Sequence, residues 1–307
     1  MPAATAAPAV PASALAPVDG ILTGVLLDGR RGLVFFLILM LAGCGLDKPA
    51  PVPVPVPSPS PAGPSPSAPV LESEPAVIPG AARPGVLPIV IQHGPRAAKR
   101  VALTFDADMT DAMIARLKRG EVKSYANLRL LKILENRRVP ATFFVTGQWA
   151  EQYPEVTRRI AGNPLFEIAN HSYEHAAFTG DCYNLPRVAP AGMTEDVAKT
   201  FRVLEPFGGR QTRYFRFPGL CHDAAARKAL APLGVTIIDG DVVSGDPFAR
   251  GPSPVVNAVL DQVKPGSIVI MHVTEANAQY TDDALPAILA GLKRKNLQPV
   301  TLSALLG

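Results

Sequence analysis

Short apolar segments alternate with amphipathic segments along residues 89–307. Apolar runs rich in β-branched and aromatic residues predict buried strands, and apolar positions three to four residues apart predict helices. The predicted strands are 100–105, 141–146, 166–169, 214–217, 235–239, 267–272 and 299–302. The predicted helices are 126–138, 154–161, one opening at Met193, 223–230, 254–263 and 282–295. Because strands and helices alternate repeatedly, we expect a parallel sheet, closed or open.

The first 44 residues have the pattern of an export signal. Arg30 and Arg31 precede an apolar run at 32–40, which is short for a membrane span, and Leu-Ala-Gly-Cys follows at 41–44. That tetrapeptide resembles the lipobox of bacterial lipoproteins, which implies cleavage before Cys44 and a lipid on its side chain. The chain would then be an exported, membrane-anchored lipoprotein of a bacterial cell envelope. The alternative is an ordinary signal peptide in which Cys44 occurs by chance.

Residues 45–88 have the composition of a tether. Proline alternates with other residues from Pro49 to Pro57, and Ser-Pro repeats continue to Pro69. Such a segment favours extended polyproline II and builds no packed core, so we predict disorder. About forty residues in this conformation reach up to ~120 Å. The remaining chain, 89–307, has the length of a single domain and forms the predicted catalytic domain.

The charge of the chain bears on the class of partner, and its cysteine content bears on whether a disulfide forms. The formal net charge is +4, with no run of Lys or Arg of the kind that marks a nucleic-acid-binding arm. Cys182 and Cys221 are the two cysteines of the predicted domain. In an exported protein an even pair favours a disulfide. Two free buried thiols remain the alternative, because the sequence does not give the Cα separation.

A candidate metal site begins with His171 and His175, two of the five histidines in the chain. On a helical turn this spacing places both imidazoles on one face. Two histidines require a third ligand, typically a carboxylate, and Asp106 and Asp108 stand at the end of the predicted strand 100–105. The same His spacing also occurs in polar loops that bind nothing.

Side chains that can bind a metal or transfer a proton recur at the same place in successive predicted strand–helix units. All of them fall at or just beyond the carboxyl end of a predicted strand, which is the edge where loops of a parallel barrel assemble an active site. They are Asp106, Asp108, His171, Arg216, Asp246 and His272.

Five segments in this order resemble the five motifs of the polysaccharide deacetylases, the carbohydrate esterase family 4 or NodB-homology enzymes. They are Thr-Phe-Asp-Ala-Asp at 104–108, His-Ser-Tyr-Glu-His at 171–175, Arg-Phe-Pro-Gly at 216–219, Asp-Val-Val-Ser-Gly-Asp at 241–246 and Ile-Met-His at 270–272. The resemblance spans about residues 98–304. It implies an α/β fold, a distorted (β/α) barrel, and metal-dependent removal of N-acetyl groups from a β-1,4-linked GlcNAc-containing polysaccharide.

The resemblance also implies roles for individual residues. His171, His175 and Asp108 would bind the metal, usually Zn²⁺ in this family, and Asp106 would be the general base that activates water. His272 would be the general acid for the leaving amine. The supporting residues would be Arg216 paired with Asp106, Asp246 orienting His272, the backbone N–H near Gly219 at the oxyanion, and Ile270 lining the acetyl pocket.

The chain departs from the family pattern at two positions. Ala107 stands where the family has its second Asp, and Asp108 follows one residue later. Along a regular strand Asp106 and Asp108 point to the same face, so Asp106 could be the ligand instead. Pro247 stands where the family has Trp, which alters the wall on the substrate side.

An envelope-tethered enzyme meets peptidoglycan first, so peptidoglycan is the expected substrate, with a chitin-like glycan as a related possibility. One alternative is an esterase that releases O-acetyl groups from xylan or peptidoglycan. The other is a non-catalytic glycan-binding lipoprotein with the same fold, which the altered first and fourth motifs motivate.

Overall fold

A parallel β-sheet forms the centre of the protein. The structure, a computed structural model, describes residues 77–307, so the predicted signal peptide, Cys44 and most of the predicted tether lie outside the described residues. The strands are β1 (Val90–Ile91), β2 (Arg100–Ala107), β3 (Ala141–Val145), β4 (Phe166–Asn170), β5 (Gln211–Phe215), β6 (Thr236–Ile238), β7 (Val242–Val243), β8 (Ile268–His272) and β9 (Gln298–Val300). Their order is β1-β6-β5-β4-β3-β2-β8-β7, with β9 beside the start of β2. Every ladder is parallel.

Helices connect the strands in the manner of successive βα units. They are α1 (Asp111–Lys118), α2 (Leu128–Asn136), α3 (Gly147–Gln152), α4 (Pro154–Ala161), α5 (Met193–Leu204), α6 (Ala224–Leu230), α7 (Pro252–Gln262), α8 (Thr281–Arg294) and α9 (Leu302–Leu306). The predicted helices are present: α4 has the predicted ends, α5 begins at the predicted Met193, and the others have ends shifted by one or two residues. Helices α1, α3 and α9 were not predicted. None of the helices within residues 77–307 is long and apolar enough to cross a membrane.

Successive side chains of β2 alternate between the face of the sheet that the helices cover and the inside of the curled sheet. Leu103, Phe105 and Ala107 belong to the large core beneath the helices. Ala102 points to the opposite face, in a smaller cluster that includes Leu302 of α9. Successive side chains of a strand point to opposite faces, so the even-numbered residues, which include the two aspartates, lie inside the curl. The inside is apolar near α9 and becomes polar toward the carboxyl edge.

The start of the folded unit differs from the predicted boundary at residue 89. The backbone N–H of Arg213 donates to the carbonyl of Pro79 at 2.7 Å, and that of Ala82 donates to the carbonyl of Gly234 at 2.9 Å. Residues 77–88, the last part of the predicted tether, therefore pair with the domain. Proline-rich composition predicted a tether here, but composition does not report which backbone groups find partners.

Candidate metal and catalytic site

The carboxyl ends of four strands bring the predicted residues together. Asp106 lies near the end of β2 and is paired in register with His272, the last residue of β8. His171 directly follows β4, and Arg216 directly follows β5. Residues from four of the five motifs thus share one edge of the sheet because parallel strands end at the same side.

Asp108, His171 and His175 form a compact cluster. Oδ1 of Asp108 lies 3.4 Å from Nε2 of His171 and 3.5 Å from Nε2 of His175. One ligand atom from each residue falls within 4.8 Å of the others. Asp108 and His171 are buried, and His175 is nearly so. The three side chains offer one carboxylate oxygen and two ring nitrogens to a single point.

The protonation of His171 tests whether this cluster fits a cation. Nδ1 of His171 lies 2.9 Å from the backbone carbonyl oxygen of Arg216. A carbonyl oxygen only accepts, so Nδ1 carries a proton, and the neutral form of this imidazole presents the lone pair of Nε2 toward Asp108. Oδ1 of Asp108 is buried and has no hydrogen-bond partner among the described residues. Facing lone pairs repel unless a cation lies between them, so the three residues fit a divalent metal such as Zn²⁺.

The backbone of 171–175 is not helical, so the convergence of the two imidazoles does not come from a helical turn. The segment is a loop after β4, in which Ser172 and His175 have φ values of 69° and 54°. The side chain of Asn170 accepts a hydrogen bond from the Ser172 N–H at 3.0 Å, which stabilises the turn. The two imidazole centroids are 5.0 Å apart. Left-handed backbone, rather than helical periodicity, makes the rings converge.

Asp106 makes a different set of contacts from Asp108. Nη1 of Arg216 donates to Oδ1 of Asp106 at 2.5 Å and to Oγ1 of Thr104 at 2.9 Å. The guanidinium is fully buried, and its carbon lies 4.0 Å from the centroid of the Phe144 ring. Oδ2 of Asp106 is 3.7 Å from Nε2 of His171. Asp106 is therefore held by Arg216 at the rim of the cluster, whereas Asp108 lies between both histidines.

His272 and Asp246 form a hydrogen-bonded pair on the other side of Asp108. Oδ1 of Asp246 accepts from Nδ1 of His272 at 2.8 Å and from Ser244 at 2.7 Å. Oδ2 accepts from the His272 backbone N–H at 2.8 Å and from Thr281 at 2.6 Å. Nε2 of His272 lies 3.8 Å from Oδ2 of Asp108. The buried carboxylate thus orients the imidazole with its free nitrogen toward the cluster.

Burial and charge separate the protonation states of these groups. Burial would lower the pKa of His272, but the carboxylates of Asp246 and Asp108 raise it to about 10. Burial lowers the pKa of His175 to about 4 despite the nearby charge of Asp108. Burial opposes ionisation of Asp108 and Asp246, yet the neighbouring histidines hold the pKa of both carboxyls below the usual value. His272 is therefore a proton donor at neutral pH, and His175 is a neutral potential ligand.

An open cleft leads to the cluster. Gly219 and Ile270, both predicted from the motifs, lie on its wall, as does Pro247. Gly219 has a φ of 62°, and a Cβ at this position would lie 2.6 Å from Sγ of Cys182. Cys182 and Cys221 are joined by a disulfide with a Cα separation of 6.0 Å.

Sequence reasoning did not identify several residues that support the site. Ser244 and Thr281 donate to Asp246, and Oγ1 of Thr274 accepts from the Asp108 N–H at 3.1 Å. Asp196 accepts from the backbone N–H of Tyr173 in the histidine loop at 3.0 Å. Hydroxyl residues are frequent in loops, and no spacing distinguishes these from others. Ser244 lies within the fourth motif, which is the one signal that could have drawn attention to it.

Comparisons with known proteins agree with this geometry. The sequence profile named "Polysaccharide deacetylase" matches residues 93–238. A chitooligosaccharide deacetylase of Bradyrhizobium sp. (strain ANU 289) is 32% identical over 183 residues, which cover 55% of this chain and 79% of that protein. The chain belongs to the polysaccharide deacetylase family. Asp246 and His272 lie beyond the residues that the profile matches, but the motifs at 241–246 and 270–272 predicted them and the structure places them at the site.

Two further members of the family show the same relationship. A peptidoglycan-N-acetylglucosamine deacetylase of Bacillus cereus is 29% identical over 224 residues, 69% of this chain and 70% of that protein. The crystal structure of a peptidoglycan N-acetylglucosamine deacetylase in complex with 4-naphthalen-1-yl-N-oxidanyl-benzamide superposes with a TM-score of 0.60. It has 26% identity and covers 71% of this chain and 92% of that one. The predicted distorted (β/α) barrel of the NodB-homology type is confirmed, and so is the class of enzyme, a polysaccharide deacetylase.

Proposed function

We propose that this deacetylase removes N-acetyl groups from a β-1,4-linked GlcNAc-containing polysaccharide, with peptidoglycan as the substrate. One observation carries the proposal: a buried, unpartnered carboxylate oxygen of Asp108 faces the Nε2 atoms of His171 and His175. This cluster lies between an Asp–Arg pair on one side and a His–Asp pair on the other. A cation site flanked by one base and one acid is the arrangement that amide hydrolysis requires.

Asp108, His171 and His175 would hold the divalent cation, for which we propose Zn²⁺. When bound there, such a cation polarises the acetyl carbonyl and lowers the pKa of water from 15.7 toward ~7. The other chemical steps belong to residues of the chain. The carboxylate of Asp106 receives the proton of the attacking water, and the buried guanidinium of Arg216 donates to that carboxylate and orients it.

His272 supplies the second proton. Its Nε2 faces the cleft and carries a proton at neutral pH, so it protonates the nitrogen of the departing amine. Asp246 on Nδ1 fixes the ring and stabilises its charge. We assign the backbone N–H at Gly219 to the developing oxyanion and the side chain of Ile270 to the acetyl methyl group, because both residues line the cleft. Each proton transfer accounts for about 10²–10⁴-fold of the rate.

The substrate assignment depends on location and on relatives. A curated relative and a solved structure that this chain resembles carry the name of a peptidoglycan deacetylase, and another relative carries that of a chitooligosaccharide deacetylase. We propose that the chain is exported, that a lipid on Cys44 anchors it to a membrane of the cell envelope, and that the Pro-rich segment allows the catalytic domain to reach the polymer. Cys44→Ala should yield a protein that is unlipidated and released from the membrane fraction. Retention at full length would contradict the anchor.

Acetate release tests the catalytic proposal. Purified protein is incubated with peptidoglycan, chitooligosaccharide and acetylxylan, with and without chelator, followed by restoration with Zn²⁺. We expect chelator-sensitive acetate release from the two N-acetylated substrates. Acetate from acetylxylan alone would assign an O-acetyl esterase. Metal binding without acetate from any of the three would assign a non-catalytic glycan-binding protein.

Matched variants separate the site from the rest of the fold. His272→Ala removes the proposed acid, and His93→Ala removes an exposed histidine whose Nδ1 lies 2.8 Å from the carbonyl oxygen of Gly94 and which is outside the cleft. We expect the first variant to lose at least about 10²-fold in rate and the second to retain the rate of the native protein.

A further inference from the structure

Two large aromatic side chains lie exposed at the mouth of the cleft. Tyr183 is 68% exposed and Phe248 is 76% exposed, and both line the same cleft as the metal cluster. Their ring centroids are 6.2 Å apart, with an angle of 30° between the planes. They come from separate segments, the loop after the histidine motif and the short turn Asp246–Phe248. Exposed aromatic surface concentrated at a site entrance marks a place where a ligand is bound.

The Tyr183 side of this pair is rigidly attached to the site. Cys182 precedes it and is bonded to Cys221, which follows the Gly219 turn. A Cβ on Gly219 would lie 2.9 Å from Cδ2 of Tyr183, so the tyrosine ring lies directly against this glycine. Tyr183 itself has a φ of 50°. The disulfide therefore ties the tyrosine loop to the turn that carries the proposed oxyanion donor.

The Phe248 side is attached to the catalytic acid. Phe248 lies two residues after Asp246, and its N–H donates to the carbonyl of Gly245 at 3.0 Å. The two rings thus bridge the cleft between the motif-three turn and the motif-four turn. A ring held between two aromatic faces needs about 3.5–4 Å on each side, roughly 7 Å in total. At 6.2 Å between centroids the rings leave no such slot, so a ligand lies across them rather than between them.

Resting on the proposed function, we propose that Tyr183 and Phe248 form an aromatic platform for a sugar ring that neighbours the one losing its acetyl group. The C–H face of a β-linked pyranose is apolar and flat, and it buries its surface against aromatic rings. The platform makes the enzyme prefer chains of linked sugars over a single sugar. The Cys182–Cys221 disulfide positions Tyr183 and acts on binding only through it.

A binding measurement tests the platform apart from catalysis. The dissociation constant of an N-acetylated β-1,4-linked GlcNAc tetrasaccharide is measured by calorimetry in the His272→Ala background. We expect Tyr183→Ala and Phe248→Ala each to weaken binding by about tenfold. Leu128→Ala, which truncates an exposed apolar residue outside the cleft, is the matched control and should leave the dissociation constant unchanged. Equal affinity of the aromatic variants and the control, or no tetrasaccharide binding at all, would overturn the platform.

The disulfide is tested by a double-mutant cycle. Replacing Cys182 and Cys221 together by serine should weaken tetrasaccharide binding as much as Tyr183→Ala does, and should add nothing in the Tyr183→Ala background. Multiplicative losses would show that the disulfide acts independently of Tyr183. Circular dichroism verifies that each variant is folded. Acetate release by the native protein is measured separately, so that failure of the deacetylase proposal and failure of the platform give different results.

Discussion

Nδ1 of His171 donates a hydrogen bond to the backbone carbonyl of Arg216 at 2.9 Å, while the Arg216 side chain donates to Asp106 at 2.5 Å. One residue thus fixes both the tautomer of a proposed metal ligand and the orientation of the proposed base. This contact joins the loop after β4 to the residue after β5, which are neighbours in the sheet. The metal cluster and the base are therefore positioned relative to each other through the backbone carbonyl and the buried side chain of one residue.

The two aspartates of the first motif should separate metal binding from proton transfer. We expect Asp108→Asn to lose bound Zn²⁺, with affinity reduced at least about 10–100-fold. Asp106→Asn should retain the metal and lose about 10²–10⁴-fold in rate, because Asp106 pairs with Arg216 and not with both histidines. Metal content by mass spectrometry and acetate release measure the two effects. Asp239→Asn, whose carboxylate pairs with His222, is the control. Metal loss in Asp106→Asn with retention in Asp108→Asn would reverse the assignment.

The pH dependence of the reaction should show the effect of Asp246 on the pKa of His272. The general acid must be protonated, so the rate falls as pH rises through the pKa of His272, which neighbouring carboxylates raise to about 10. Asp246→Asn removes the largest influence that raises this pKa. The alkaline limb of the pH–rate profile should therefore move to lower pH, and the rate at pH 9 should fall more than the rate at pH 6. A limb that stays in place would show that Asp246 does not set the protonation of His272.

Loss of the buried Arg216 side chain should lower the free energy of unfolding more when the Asp106 carboxylate is present than when it is absent. Arg216→Met leaves the buried carboxylate of Asp106 without its partner, and we expect a loss of about 3–5 kcal/mol in the free energy of unfolding. The double variant Arg216→Met with Asp106→Leu removes both charges and should recover much of that loss. Urea denaturation followed by circular dichroism measures both. Equal destabilisation in the single and double variants would contradict this account.

Two glycines with the same backbone conformation provide a test of crowding at the cleft wall. Gly219 has φ 62° and ψ 9° and Gly245 has φ 67° and ψ 16°, but of the two only Gly219 would bring a Cβ against other atoms. Each alanine substitution should lower the free energy of unfolding by about 1 kcal/mol, because alanine is disfavoured in left-handed backbone. Gly219→Ala should destabilise the protein further and lower activity, because the turn is displaced from Cys182 and Tyr183. Identical unfolding free energies for the two variants would show that this contact is readily relieved.

The alternation of strands and helices was predictable because the apolar periodicity reflects which face of each element is buried. Helix α4 begins and ends at the predicted residues, Pro154 and Ala161. Helices α1 and α3 were missed because they are short and are signalled mainly by their capping residues, Thr110 and Thr146, whose side chains accept from the helix N–H groups. The predicted last strand runs into α9, since a short apolar segment has no period that distinguishes a strand from a helix.

Within the site, the spacing Asp-Ala-Asp was sufficient to place Asp106 and Asp108 on one face, because a strand alternates with a period of two. Assigning Asp108 as the metal ligand and Asp106 as the base required the positions of Arg216 and the two imidazoles, which follow other strands. The spacing of His171 and His175 would bring both rings together on a helical turn, but the segment is a loop in which Ser172 and His175 have positive φ, because residues four apart can converge through either backbone.

Hydrophobic alternation along the chain fixes where each strand ends and which face its side chains take, so the residues at the carboxyl edge of the sheet follow from local patterns. Which of those residues touch one another depends on the fold. The pairing of Asp246 with His272, the tautomer of His171 and the meeting of Tyr183 with Phe248 all join segments far apart in the chain. Such contacts are set by strand order and register, which depend on the packing of the whole sheet rather than on any local pattern.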